Sequence, residues 1–126
     1  MVKTTLVGPD IGLGNEALRL MDSARFPVTV AMWLLQKERS DWKFVVATSL
    51  YDRLGPQQAY LRLLKVLNSN EGVTDLSIRL ESNRRPLIKA LRKLFGRCAS
   101  VEGMRLGLQS IGGVWIDDAY VYRIEP

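Results

Sequence analysis

The chain has 126 residues, of which 47% are hydrophobic and 25% charged, the make-up of one ordinary globular domain with a core of its own. One cysteine and no histidine exclude an internal disulfide and the usual nitrogen- and sulfur-ligated zinc sites; no metal or cofactor is expected, and a reducing cytoplasm is the natural compartment. A net charge of +5 points to anionic partners, and no uncharged run approaches the roughly 20 residues that span a bilayer, so no membrane partner is expected.

Residues 1–10 read as a flexible N-terminal arm broken at Gly8-Pro9-Asp10, and residues 11–126 as the domain proper. From Asn15 to about Arg25, Ala17, Leu18, Met21 and Ala24 recur at helical spacing behind an Asn15 N-cap, and Pro27 ends the run. Val28–Leu35 and Trp42–Ser49 are rich in β-branched and aromatic residues, with a charged hairpin loop between them. Both faces of these strands are largely apolar, as in strands covered on both sides, so they should be central. After a turn at residues 51–55, Pro56 opens a second helix whose Ala59, Tyr60, Leu63, Leu64 and Leu67 form a wide apolar stripe.

Asp75–Glu81 alternates Leu76, Ile78 and Leu80 against Asp75, Ser77, Arg79 and Glu81, which predicts a strand with one wet face. A third helix opens at Ser82–Pro86, runs to about Phe95 and is capped by Gly96. Met104–Gln109 and Val114–Ile124 close the chain as a hairpin turned near Gly112-Gly113. The element order is α-ββ-α-β-α-ββ. Hairpins are antiparallel, whereas strands joined through helices run parallel or cross over, so the fold class is α+β: a single domain with a mixed five-stranded sheet packed with about three helices.

The positive charge is uneven. Between Arg79 and Arg105 stand eight cations and two anions, whereas the rest of the chain holds ten cations and eleven anions. The third helix and its flanks therefore carry essentially all the excess. At about 100° per residue, Arg85, Lys89, Arg92 and Lys93 share one stripe while Leu87, Ile88, Leu91, Leu94 and Phe95 take the opposite side. Arg84, Arg85, Lys89, Arg92, Lys93 and Arg97 form the candidate anion-binding set. Arginine outnumbers lysine twelve to six in the chain, and its planar fork suits phosphate. The bland reading is the solvated outer face of an amphipathic helix. No aromatic RNA-binding motif, zinc-finger spacing or helix-turn-helix pair accompanies it.

Strict alternation in the last strand would place Asp118 in a row with Val114, Ile116, Tyr120, Tyr122 and Ile124. An unpaired carboxylate there is too costly to bury. Either a β-bulge at Asp117-Asp118 reverses the facing, or an arginine such as Arg79 or Arg105 pairs with it. The functional alternative is a pocket in which Asp117 or Asp118 works with Tyr120 or Tyr122. A second surface is the polar face of the third and fourth strands, with Asp75, Ser77, Arg79, Arg105, Gln109 and Trp115, either a solvated sheet face or a partner surface.

Two literal strings fail on context. Gly12-x-Gly14-x-x-Ala17 resembles a dinucleotide fingerprint, but a hairpin rather than a βαβ crossover follows it. Pro9-Asp10 with Asp41-Trp42-Lys43 spells a metal-nuclease string, but Pro9-Asp10 reads as an arm rather than a strand. Cys98, just past a helix C-terminus, lacks the dipole end that activates a thiolate and reads as a core or subsurface residue. The favoured function is a small non-enzymatic protein that contacts nucleic acid or another polyanion through its basic helix. The alternatives are a protein-interaction or homodimeric module using the polar sheet face, and an enzyme with a carboxylate-tyrosine pocket at Asp118.

Overall fold

The computed structural model describes residue 6 and residues 8–36, 41–68, 73 and 76–126. Val30–Leu35 (β1) and Trp42–Ala47 (β2), apolar on both faces, lie inside a sheet ordered β3-β2-β1-β5-β4, where β3 is Ile78–Glu81, β4 Arg105–Ile111 and β5 Val114–Ile124. The β2–β3 pairing is parallel and the other three are antiparallel. Helices α1 (Gly8–Ser23), α2 (Ser49–Leu54) and α3 (Pro56–Leu67) cover one face of the sheet and α4 (Pro86–Phe95) the other. On the first face Ala31, Trp33, Phe44 and Val46 pack with Ala17, Met21, Leu50 and Leu63. On the second, Val30, Met32, Leu34 and Val45 pack with Leu87, Ile88 and Leu91. Fully burying side chains of this size stabilises by roughly 1.5–3 kcal/mol each, so the two-sided cover of β1 and β2 is the main source of order. No described helix is long and apolar enough to cross a membrane.

The α+β class, the element order and the five-stranded mixed sheet are as expected, and four helices rather than three stand among the described residues. The additional one, α2, begins where the second strand was expected to end. Thr48 caps it, its side chain accepting from the Leu50 N–H at 3.2 Å. The helix α1 starts at Gly8, not Asn15, so residues 8–10 of the expected arm belong to it. Asp10 is buried there, and its carbonyl accepts from the Trp33 indole at 3.2 Å. Tertiary packing also overrides the helix-weakening glycines: a Cβ on Gly14 would overlap the Tyr122 hydroxyl, with ring Cζ at 2.7 Å, and that hydroxyl donates to the Ile11 carbonyl at 2.7 Å. Gly12 and Gly14 are thus mid-helix, and Pro9-Asp10 is helical, so neither discounted string has the backbone its chemistry needs.

The far end of α1 is closed by paired backbone bonds, Phe26 N–H to the Met21 carbonyl at 2.8 Å and Arg25 N–H to the Asp22 carbonyl at 3.1 Å. This pattern puts a left-handed residue, usually glycine, at the position after the cap. Here it is Arg25, with φ +60°.

Two irregularities set the facing of β5. Ile116 and Ala119 both point to the α4 side although three residues apart, so the facing reverses within Asp117-Asp118. The β4 ladder passes over Leu108, φ +50°, at the same level. That reversal puts Tyr120 and Tyr122 on the α1 side and Val121 on the α4 side, and a second shift, opposite Ala31 and Met32, returns Ile124 to the α4 side. The strict row expected for Asp118 is therefore broken twice. The hairpin closes through Gly112 and Gly113, both at positive φ, the conformation a two-residue turn demands.

Candidate anion-binding site

The site follows from how α4 is anchored. Leu87, Ile88 and Leu91 are buried against the sheet, which turns Arg84, Lys89 and Lys93 outward, and Arg97 extends the row past the helix end; all four are exposed. Leu94, expected on the buried side, is instead 60% exposed, while its neighbour Phe95 packs half-buried against the core. Gly96 has φ −60°, so its role is not a left-handed cap. It leaves room for the chain end, since a Cβ there would lie 2.6 Å from Pro126 Cα. Lys89, Arg92, Lys93 and Arg97 surround a shallow depression of about 650 Å3 beside Pro126.

The six cations of the candidate set differ in what holds them. Arg85 is paired with Glu81 at 3.0 Å. Arg92 donates to the backbone oxygens of Glu125 and Pro126 at 3.2 and 2.7 Å, which orients its guanidinium. Among the described residues, Arg84, Lys89, Lys93 and Arg97 have no carboxylate partner. Glu81 is the acid of this region, clamped between Arg85 and Arg79 with Arg79 Nε also at 3.0 Å.

The expected polar sheet face is divided by the topology, because β3 and β4 form opposite edges of the sheet. Ser77 accepts from Lys43 at 2.8 Å. Arg79 is 22% exposed and Glu81 13%, and they line a cleft of about 380 Å3 with Arg85 and Gln36 at the start of α4. Of the third strand's polar row, Ser77 is exposed as expected, whereas Arg79 and Glu81 are half-buried beside the helix N-terminus, where their charges pair with each other. Asp75 lies outside the described residues. Arg105, Gln109 and Trp115 remain together on the β4–β5 edge, with Trp115 51% exposed and Leu108 76% exposed.

The carboxylates of β5 are held in a local network. Asp118 accepts from Arg105 Nε at 3.2 Å and from its second nitrogen at 2.5 Å, a two-point pair. Asp117 accepts from the Trp115 indole at 3.3 Å. Tyr122 is buried on the α1 side, edge-on to Phe44 and Tyr120, and burial raises its hydroxyl pKa above the ordinary value. The structure therefore places Asp118 on the hairpin and Tyr122 in the core beneath α1. None of Asp117, Asp118, Tyr120 or Tyr122 lines the clefts at Arg79, Arg97 or Arg62. Cys98 is exposed rather than subsurface.

Counting along the chain misses a second gathering of cations. Arg25, Arg53, Arg62 and Lys65 line one cleft on the α1–α2–α3 face. The available signal was weak: Arg25, Arg53 and Lys65 stand near helix C-terminal ends, and Arg62 lies mid-helix in α3. No protein-family model, curated protein or solved structure matches the chain.

Proposed function

We propose that this protein is a non-enzymatic binding module that holds nucleic acid by its phosphates along α4 and its flanks. The observation that carries the reading is the row Arg84, Lys89, Lys93 and Arg97, exposed and without carboxylate partners among the described residues, on a helix whose other flank is buried. Arg92, oriented by the chain end, adds a fifth donor set. Ten helical residues extend about 15 Å, the length over which one strand of a duplex presents about four phosphates. Such contacts are electrostatic and independent of base sequence, consistent with a stripe of cations and no aromatic platform.

The test is fluorescence anisotropy of a labelled 20-nucleotide duplex at 50 mM salt. The parent protein is expected to bind, and Lys89→Glu/Lys93→Glu/Arg97→Glu to weaken binding more than a hundredfold with its circular dichroism unchanged. A parent that does not bind, or a folded variant that binds as well as the parent, overturns the reading.

A second reading concerns the β4–β5 edge, where among the described residues β4 pairs only with β5, and where Leu108 of β4 and Trp115 of β5 are exposed. An open edge with apolar side chains suits a protein partner or a second copy of the chain. Light scattering tests the homodimer form: a concentration-dependent dimer abolished by Leu108→Asp supports it, and a monomer at all concentrations rejects it.

A further inference from the structure

On the sheet face opposite α4, a cleft of about 380 Å3 lies among the segment just past α1, the short helix α2 and the second half of α3. Arg25, just past α1, Arg53 of α2, and Arg62 and Lys65 of α3 line it, and Pro27 and Leu50 contribute apolar surface. All four cations are exposed, and none of their side chains has a hydrogen-bond or ion-pair partner among the described residues. The acids nearest in sequence to Arg25 and Arg53 are engaged elsewhere. Asp22 receives both terminal nitrogens of Arg123, at 3.0 and 2.7 Å. Asp52 accepts from the Ser82 hydroxyl and from the Asn83 N–H at 3.3 Å.

Cations beside helix C-termini also have a structural use, since each helix end carries roughly half a negative charge. Even three full ends would supply about −1.5 against four positive charges, so more than half of the charge is left over, and Arg62 stands mid-helix in α3 rather than at an end. Arg25 adds a conformational argument. It occupies, at φ +60°, a position that glycine fills without strain, and the arginine held there faces the cleft.

We infer that this cleft binds an oligophosphate, either inorganic or as the di- or triphosphate group of a nucleotide. Four cations around one opening match a compact group of several negative charges better than an extended strand. Three of them are arginines, whose planar forks hold two phosphate oxygens at once. The volume is in the range of small-ligand sites, and the apolar surface beside the cations gives an attached organic group a place to rest. The site lies across the sheet from α4 and does not depend on the reading of that helix.

Isothermal titration calorimetry at 50 mM salt tests the inference with inorganic triphosphate, adenosine triphosphate and adenosine monophosphate. Both triphosphates are expected to bind one to one, and the monophosphate at least tenfold more weakly. A nucleotide that binds more tightly than inorganic triphosphate assigns the apolar surface to the nucleoside; equal affinities support the site in its inorganic form. Arg53→Gln/Arg62→Gln should weaken triphosphate about a hundredfold, two charge-assisted contacts at roughly tenfold each. Lys89→Gln/Lys93→Gln should change it less than twofold. Arg25→Gly should weaken binding about tenfold while raising the melting temperature by about 4 °C. The inference is overturned if neither triphosphate binds below about 1 mM, or if the Arg53/Arg62 variant, shown to be folded by its melting curve, binds like the parent.

Discussion

The α4 stripe and the α1–α2–α3 cleft both present unpaired positive charge, yet the chain assembles them by different means. In the stripe, neighbours in sequence are neighbours in space, because helical periodicity alone puts Lys89 and Lys93 on one side and Leu87 and Leu91 on the other. In the cleft, cations from positions 25 to 65 meet only after three helices have packed on the sheet, and the acids that balance them along the chain are turned to Arg123, Ser82 and Asn83. Local charge balance therefore reports surface charge faithfully for a single helix and poorly for a surface built from several.

Because the two regions sit on opposite faces, each can be perturbed alone. The largest effect is expected from Leu91→Ala. Leu91 is fully buried under α4, and its truncation should cost about 3 kcal/mol by urea denaturation, the transfer and cavity terms together. Duplex binding should fall as α4 loosens, while triphosphate binding at the cleft persists in the folded fraction. On the other face, Gly14→Ala should cost about 2 kcal/mol, because the new methyl displaces the Tyr122 hydroxyl and overpacking outweighs the better helix propensity.

Tyr122→Phe should cost about 1 kcal/mol through loss of the bond to the Ile11 carbonyl. It should also flatten the alkaline end of the stability curve. Burial raises the Tyr122 pKa in the folded state, so its contribution is fully present below the unfolded value near 10 and is lost as pH rises beyond it. The parent should weaken from about pH 10 upward and the variant less so, as thermal melts between pH 8 and 11 would record. The smallest effect runs in the stabilising direction: Arg25→Gly should gain about 1 kcal/mol.

Much of the architecture was legible in the sequence because it rests on patterns that burial enforces. The doubly apolar faces of β1 and β2 and the Gly-Gly hairpin turn are of this kind. What was not legible depended on contacts distant in sequence. The apolar, β-branched run of β2 leads straight into Thr48, and the strand was expected to reach Ser49; the Thr48 cap marks the change to helix. The early start of α1 is fixed by Trp33 and Tyr122, residues 23 and 111 positions away from their partners Asp10 and Ile11. Arg79 and Glu81 alternate like solvent-facing residues, yet their charges cancel each other beside α4. For the candidate sites, helical spacing located the α4 cations, but it could not tell that Glu81 engages Arg85 or that the chain end engages Arg92.

The salt dependence of duplex binding tests the central claim most directly. About four phosphate contacts give a slope of log K against log salt near −3.6, a loss on the order of a hundredfold between 50 and 200 mM. Replacing three of the five cations with Lys89→Gln/Lys93→Gln/Arg97→Gln leaves Arg84 and Arg92 and should bring the slope to about −1.8. A parent slope near zero, or one that these substitutions leave unchanged, would contradict the assignment of α4 as the anion platform.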